Sequence, residues 1–147
     1  MKTNQLLRIL IIEDNAARIA TFQAWKPNDI HFVIATSPGA ALGLIKRDRG
    51  MVYGSVMLDH DLLEQCASDS DFEFSGTQVA TAITENFSYE IPIFIHSMNA
   101  SKAAAMEAKL MRADFWVTRI PFAMLTENRL LEWLTEVKEN WCDLNSL

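Results

Sequence analysis

The residues able to do chemistry fall in four clusters, each directly after a short apolar run. Glu13-Asp14-Asn15 follows Ile9–Ile12, and Asp59-His60-Asp61 follows Ser55–Leu58 (SVML). His96-Ser97-Met98-Asn99 follows Ile91–Ile95 (IPIFI), and Arg119 follows Phe115–Thr118 (FWVT), with Pro121 close behind. Carboxylates gathered at one edge repel and raise each other's pKa. A hard cation held by oxygen ligands removes that conflict. Mg²⁺ suits the role, because it needs one or two carboxylates and leaves room for waters and phosphate oxygens. The nearby histidines make Mn²⁺ and Zn²⁺ the alternatives. The Ser97 hydroxyl and the Arg119 guanidinium then suit the remaining phosphoryl oxygens. His60 and His96 are two of the three histidines in the chain. Imidazole can both take and give a proton near neutral pH.

Each cluster also has a plain structural reading. Glu13-Asp14 suits a helix start, where the dipole favours acidic residues. Ser97 and Asn99 are favoured helix caps, a role compatible with anion contact at a helix N-terminus. Side-chain alternation can send one of the two histidines into a flanking helix layer. Trp116 reads as core, and His31 as structural. Lys46-Arg47-Asp48-Arg49 reads as a solvated helix end, and the acidic stretch 69–73 as surface, with a lid as its alternative.

These clusters need elements to position them. Ile9–Ile12 lacks alternation and suits a strand buried on both faces. His31–Ala35 (HFVIA), SVML, IPIFI and FWVT follow at wide intervals. Helix signals lie between them. Ser37-Pro38 reads as an N-cap with Pro at the first helical position, ahead of Ala41, Leu44 and Ile45. Val79 and Ile83 share a face after Gly76, and Met106 and Leu110 after Ser101. Leu130, Leu134, Val137 and Trp141 recur at helical spacing in the last helix. Five strands alternating with five helices imply a parallel sheet covered on both faces. In such sheets ligands sit beyond the carboxyl ends of the strands. Leu62–Ser75 is long for a strand-to-helix loop, where roughly 2–6 residues is usual.

The chain of 147 residues is expected to form one domain over 1–147, with half its residues apolar. That excludes a disordered chain and a disulfide miniprotein. Thirteen basic against nineteen acidic residues give a net charge of -6, which excludes an extended duplex nucleic-acid footprint. A local pocket for one phosphate stays open. Cys66 and Cys142 form no CxxC pair and are expected as free thiols in a reducing compartment. No apolar run approaches the ~20 residues of a membrane helix, and Arg8 interrupts any signal peptide. The expected location is cytoplasmic, with no membrane partner.

The sequence resembles receiver domains of the response-regulator superfamily along nearly its whole length. The resemblance rests on RILIIEDN, VMLD, IPIFIHS and ADFWVTRIPF, in order and at the proper strand ends. It implies a flavodoxin-like receiver sandwich, a five-stranded parallel sheet of order 2-1-3-4-5 with helices on both faces. It implies Glu13 and Asp14 as metal carboxylates and Asp59 as the phosphoacceptor-equivalent. Asp61 would offer its backbone carbonyl to the metal, Ser97 stands at the Thr/Ser position, and Trp116 falls where receivers carry a switching aromatic. Arg119 replaces the family's lysine, and Ile120 is inserted before Pro121. LDHDL and IHSMN depart further and resemble the divergent cyclic-phosphate-processing receiver-like branch, whose members are inferred to act on RNA ends.

Two functions follow. In the first, a metal-dependent phosphoesterase acts on a cyclic or terminal phosphate of RNA or a nucleotide. Glu13, Asp14, Asp59 and Asp61 serve the metal, His60 and His96 trade protons beside Asp59, and Ser97, Asn99 and Arg119 bind phosphate. In the second, a stand-alone receiver is phosphorylated on Asp59 by a histidine kinase and signals to an output protein by contact. A degenerate receiver that only binds a partner is the remaining alternative.

Overall fold

A computed structural model describes residues 6–59 and 76–146. His60, Asp61, Cys66 and the expected long loop 62–75 lie outside the described residues. The elements run β1 (Leu7–Ile12), α1 (Ala16–Trp25), β2 (Ile30–Ala35), α2 (Pro38–Arg47) and β3 (Ser55–Leu58). They continue with α3 (Gly76–Asn86), β4 (Ile93–Ile95), α4 (Ala100–Arg112), β5 (Val117–Arg119), a 3₁₀ turn (Phe122–Met124) and α5 (Glu127–Leu144). The strands pair in parallel in the order β2-β1-β3-β4-β5, as expected.

Strand alternation divides the core into two layers. Leu10, Ile12, Val56, Leu58, Ile93 and Ile95 face α2, α3 and α4, where they meet Ala41, Ile45, Val79, Ile83, Met106 and Leu110. Ile9, Ile11, Met57 and Phe94 face α1 and α5, where they meet Phe22, Leu130, Trp133, Leu134, Val137 and Trp141. Both faces of β3, β4 and the Ile9–Ile12 part of β1 are therefore buried, which explains their largely apolar sequences. Gly54 lets α5 close over the start of the sheet. A Cβ there would stand 2.3 Å from Leu7 Cδ1 and 2.9 Å from the Trp141 ring.

Helix starts follow the cap chemistry. The side chains of Asn15, Ser37, Asn99 and Thr126 accept from Arg18, Ala40, Lys102 and Arg129 N–H groups respectively. Each satisfies one orphan donor of a first turn. The basic stretch after Ile45 is solvated as expected, with Arg47 paired to Asp48.

Four local expectations are corrected. β4 starts at Ile93, because Pro92 has no N–H to give the ladder. β5 starts two residues later than FWVT and takes in Arg119, since Asp114 turns the chain with a left-handed φ of 73°. Trp116 thus precedes the strand and is 51% exposed, not core. His31 lies exposed on the edge strand β2, so it has no packing role. Cys142 is an exposed free thiol. Among the described residues no helix is long and apolar enough to cross a membrane.

Candidate functional site

The sheet ladder runs one residue past the strands and fixes the site residues by their backbones. The N–H of Glu13 donates to the Ala35 carbonyl at 3.1 Å, that of Asp59 to Ile12 at 3.0 Å, and that of His96 to Leu58 at 3.1 Å. Glu13, Asp14 and Asp59 are buried, and one carboxylate oxygen from each lies within 4.8 Å of the others. The sequence pattern pointed to these three, and the fold brings them together. Three hard oxygen donors at this spacing fit a Mg²⁺-type cation.

Glu13 is held on every side. Its Oε2 accepts from the N–H groups of Asp14 at 3.0 Å and Asn15 at 3.1 Å. Its Oε1 lies 3.0 Å from His96 Nε2. An ionised carboxylate only accepts, so Nε2 is assigned the hydrogen. Burial pushes the Glu13 carboxyl up, but the bond and charge of His96, the Asn15 N–H and Arg18 outweigh it, and the net direction is down. Asp59 goes the other way. Burial pushes it up to about 6, with Glu13 adding to the rise, against the charges of His96 and Arg18 and a hydrogen bond from Ser97. So the acidic cluster holds one carboxylate fixed and ionised beside another that resists ionisation.

The ring of His96 is fully buried. It turns into the α1/α5 layer, edge-on to Phe22 at 5.1 Å and tilted to Phe94 at 6.5 Å. Its Nδ1 has no hydrogen-bond partner among the described residues. Ser97 takes the opposite parity. Its hydroxyl acts to lower the Asp59 pKa and accepts from the Asn99 N–H at 3.1 Å. The Asn99 side chain caps α4. Arg119 shares the parity of Ser97, and with Ser97, Met98, Ala100, Ala103 and Pro121 it lines a cavity of about 290 Å³. Its Nε pairs with Glu107 of α4 at 3.1 Å, and its Nη1 reaches the Ala100 carbonyl at 3.4 Å.

One residue of the site was missed in the sequence. Arg18, in the first turn of α1, places Nη1 3.6 Å from both Glu13 Oε1 and Asp59 Oδ2. Its guanidinium lies over the Phe122 ring at 5.2 Å. The signal available was Asn15 as a cap. A residue three positions past a cap sits on the first turn, above the strand that leads into it.

A 2-1-3-4-5 parallel sheet with an acidic pair after β1, an aspartate after β3 and a hydroxyl after β4 defines a receiver-type protein. The structure is similar to a CheY-like response regulator receiver domain protein from Methanospirillum hungatei, with TM-score 0.67 and 19% identity over 95% of this chain and 99% of that one. It is similar to the receiver domain of a sensor histidine kinase from Pseudomonas aeruginosa, with TM-score 0.64 and 16% identity over 90% and 97% of the two chains. That structure carries a magnesium ion coordinated in its active-site cleft. The response regulator domain of Thermotoga maritima CheB gives TM-score 0.63 and 14% identity over 92% and 96%. No curated protein sequence matches the chain. Within the receiver class, the chain belongs to the cyclic-phosphate processing receiver domain family, whose model matches residues 8–112. That span includes every candidate site residue except Trp116 and Arg119.

Proposed function

We propose that this protein is a metal-assisted phosphoesterase that acts on a cyclic or terminal phosphate of RNA or a nucleotide. The observation that carries this reading is the convergence of Glu13, Asp14 and Asp59, with His96 bonded to Glu13. The family's description as cyclic-phosphate processing supports it. Magnesium in a similar receiver fold supports the choice of cation, with Mn²⁺ and Zn²⁺ as alternatives. Glu13, Asp14 and Asp59 would hold it, with the Asp61 carbonyl beside them. Such an ion supplies charge stabilisation to phosphoryl oxygens.

The chain's own residues do the rest. Opening a cyclic phosphate adds water across a P–O bond. A base takes a proton from the water, and an acid gives one to the leaving ribose oxygen. His60, next to Asp59 in the chain, is proposed for proton exchange. His96 acts through Glu13, holding that carboxylate ionised and in place. Ser97 and Asn99 stand at the N-terminus of α4, which favours an anion. A reducing, cytoplasmic setting suits the exposed thiol of Cys142.

The test is hydrolysis of a 2′,3′-cyclic nucleotide with Mg²⁺ by the wild type, D14A, H60A and H96A, each first shown to be folded. We expect H60A to lose roughly 10²–10⁴-fold, the usual worth of general acid–base catalysis. Equal rates in all four proteins would refute an esterase built on this site.

A hydroxyl, Ser97, on the strand end next to that of Asp59 favours a second reading, a receiver phosphorylated on Asp59 that signals to a partner. Acetyl phosphate with Mg²⁺ should then add one phosphate by intact mass, absent in D59N. No adduct would exclude this reading and leave the esterase standing.

A further inference from the structure

Arg119 and Arg18 stand on opposite sides of the sheet. Arg119 faces α4 and is already paired with Glu107. Ile120, next to Pro121, packs into the α1/α5 layer. The residue just past β5 therefore presents an apolar side chain, not a cation, to the layer that holds Glu13, Asp59 and His96. Arg18 fills that layer's need from α1. Resting on the phosphate-processing reading above, we propose that Arg18 is the residue that grips the phosphoryl group, through two non-bridging oxygens of a phosphate monoester or diester.

Four observations carry the assignment. The guanidinium sits at 3.6 Å from each of two carboxylates, beyond hydrogen-bond distance, so neither commits its donors. Its side chain is 25% exposed while the carboxylates below are buried, so it forms the wall between the acidic cluster and solvent. The guanidinium lies over the Phe122 ring, 5.2 Å from its centroid, and Phe122 is itself edge-on to Phe22 at 5.6 Å. Asn15 Oδ1 accepts from the Arg18 N–H at 3.0 Å and fixes the backbone. A guanidinium offers two parallel N–H groups, the geometry that matches phosphate oxygens. A divalent ion together with Arg18 also balances the three carboxylates, so phosphate would meet a site without net repulsion.

The experiment is calorimetric titration of Mg²⁺ alone, then of inorganic phosphate at saturating Mg²⁺, into the wild type, R18A, R18K and R119A. We expect R18A to keep or improve its Mg²⁺ affinity, since a competing cation is gone. Its phosphate affinity should fall about 10–100-fold, the worth of charge-assisted hydrogen bonds. R18K should recover part of that loss, because it restores charge without the fork. R119A should lose less than R18A. The assignment is overturned if R18A binds phosphate like the wild type, if R119A loses as much as R18A, or if R18A no longer binds Mg²⁺. If the wild type binds Mg²⁺ but no phosphate, the phosphate-processing reading itself fails, and this assignment with it.

Discussion

Asp59 is a carboxyl asked to ionise where ionisation is costly. Burial raises it to about 6 in the folded chain, against 3.8 for an ordinary aspartate. A carboxyl with a raised folded pKa stabilises fully below its unfolded value, and that contribution is lost as pH rises through the folded value. In EDTA, D59N should therefore melt above the wild type at pH 7.5. The gap should open between about pH 4 and pH 6, and Mg²⁺ should close it by stabilising the wild type alone. A pH-independent gap would refute the burial argument. His96 is the complementary case. Its loss leaves the buried Glu13 Oε1 without its nearest partner. H96A should bind Mg²⁺ roughly 10–100-fold more weakly, as loss of a group that orients a metal ligand usually does. Titration calorimetry on the folded variant checks it. The three acidic residues were legible in the sequence because each lies just after a buried strand, at the sheet edge where ligands sit. The partner of Glu13 was not, because residue type alone does not say which layer a side chain enters.

At the scale of elements, alternation was weighed for the two histidines without being counted out along the strands. His96 shares its parity with Phe94, and Arg119 shares its parity with Val117. Counted along the strands, this already sends His96 toward α1 and Arg119 toward α4, as the contacts show. The parallel sheet followed from the βα rhythm and its strand order from the receiver resemblance, and the structure has both. The start of β5 was misread because FWVT looks like a uniform β-rich run. Asp114 in a left-handed turn delays the strand and leaves Trp116 outside it. Gly54 went unremarked for a different reason, since a close approach between distant elements leaves no local trace. G54A should force Leu7 and the Trp141 ring apart. Overpacking of this kind costs about 1–3 kcal/mol. That corresponds to a drop of several degrees in Tm for a domain of this size. Metal affinity should stay unchanged, since Gly54 lies at the amino end of β3 and the carboxylates at the other. A Tm equal to wild type would show that the α5 contact is looser than the structure implies.

For the whole molecule, charge limits what the site can hold. The chain carries a net charge of -6, and its site gathers three of its carboxylates behind a single guanidinium. A long RNA needs a track of basic side chains, and each phosphate contact adds to the salt dependence of binding. On the proposed reading Arg18 grips one phosphate, and the surrounding field opposes its neighbours along a strand. Affinity for an oligoribonucleotide ending in a 2′,3′-cyclic phosphate should therefore not rise as the strand is lengthened beyond a few nucleotides. The slope of log affinity against log salt should stay near that of one or two contacts, about -0.7 to -1.4 for a single strand. Fluorescence anisotropy with Mg²⁺ and the H60A variant, which should not consume the ligand, measures both. A steep slope, or affinity that climbs with length, would mean that RNA lies along a surface these charges argue against. The substrate would then be recognised as a polymer and not by its phosphate end.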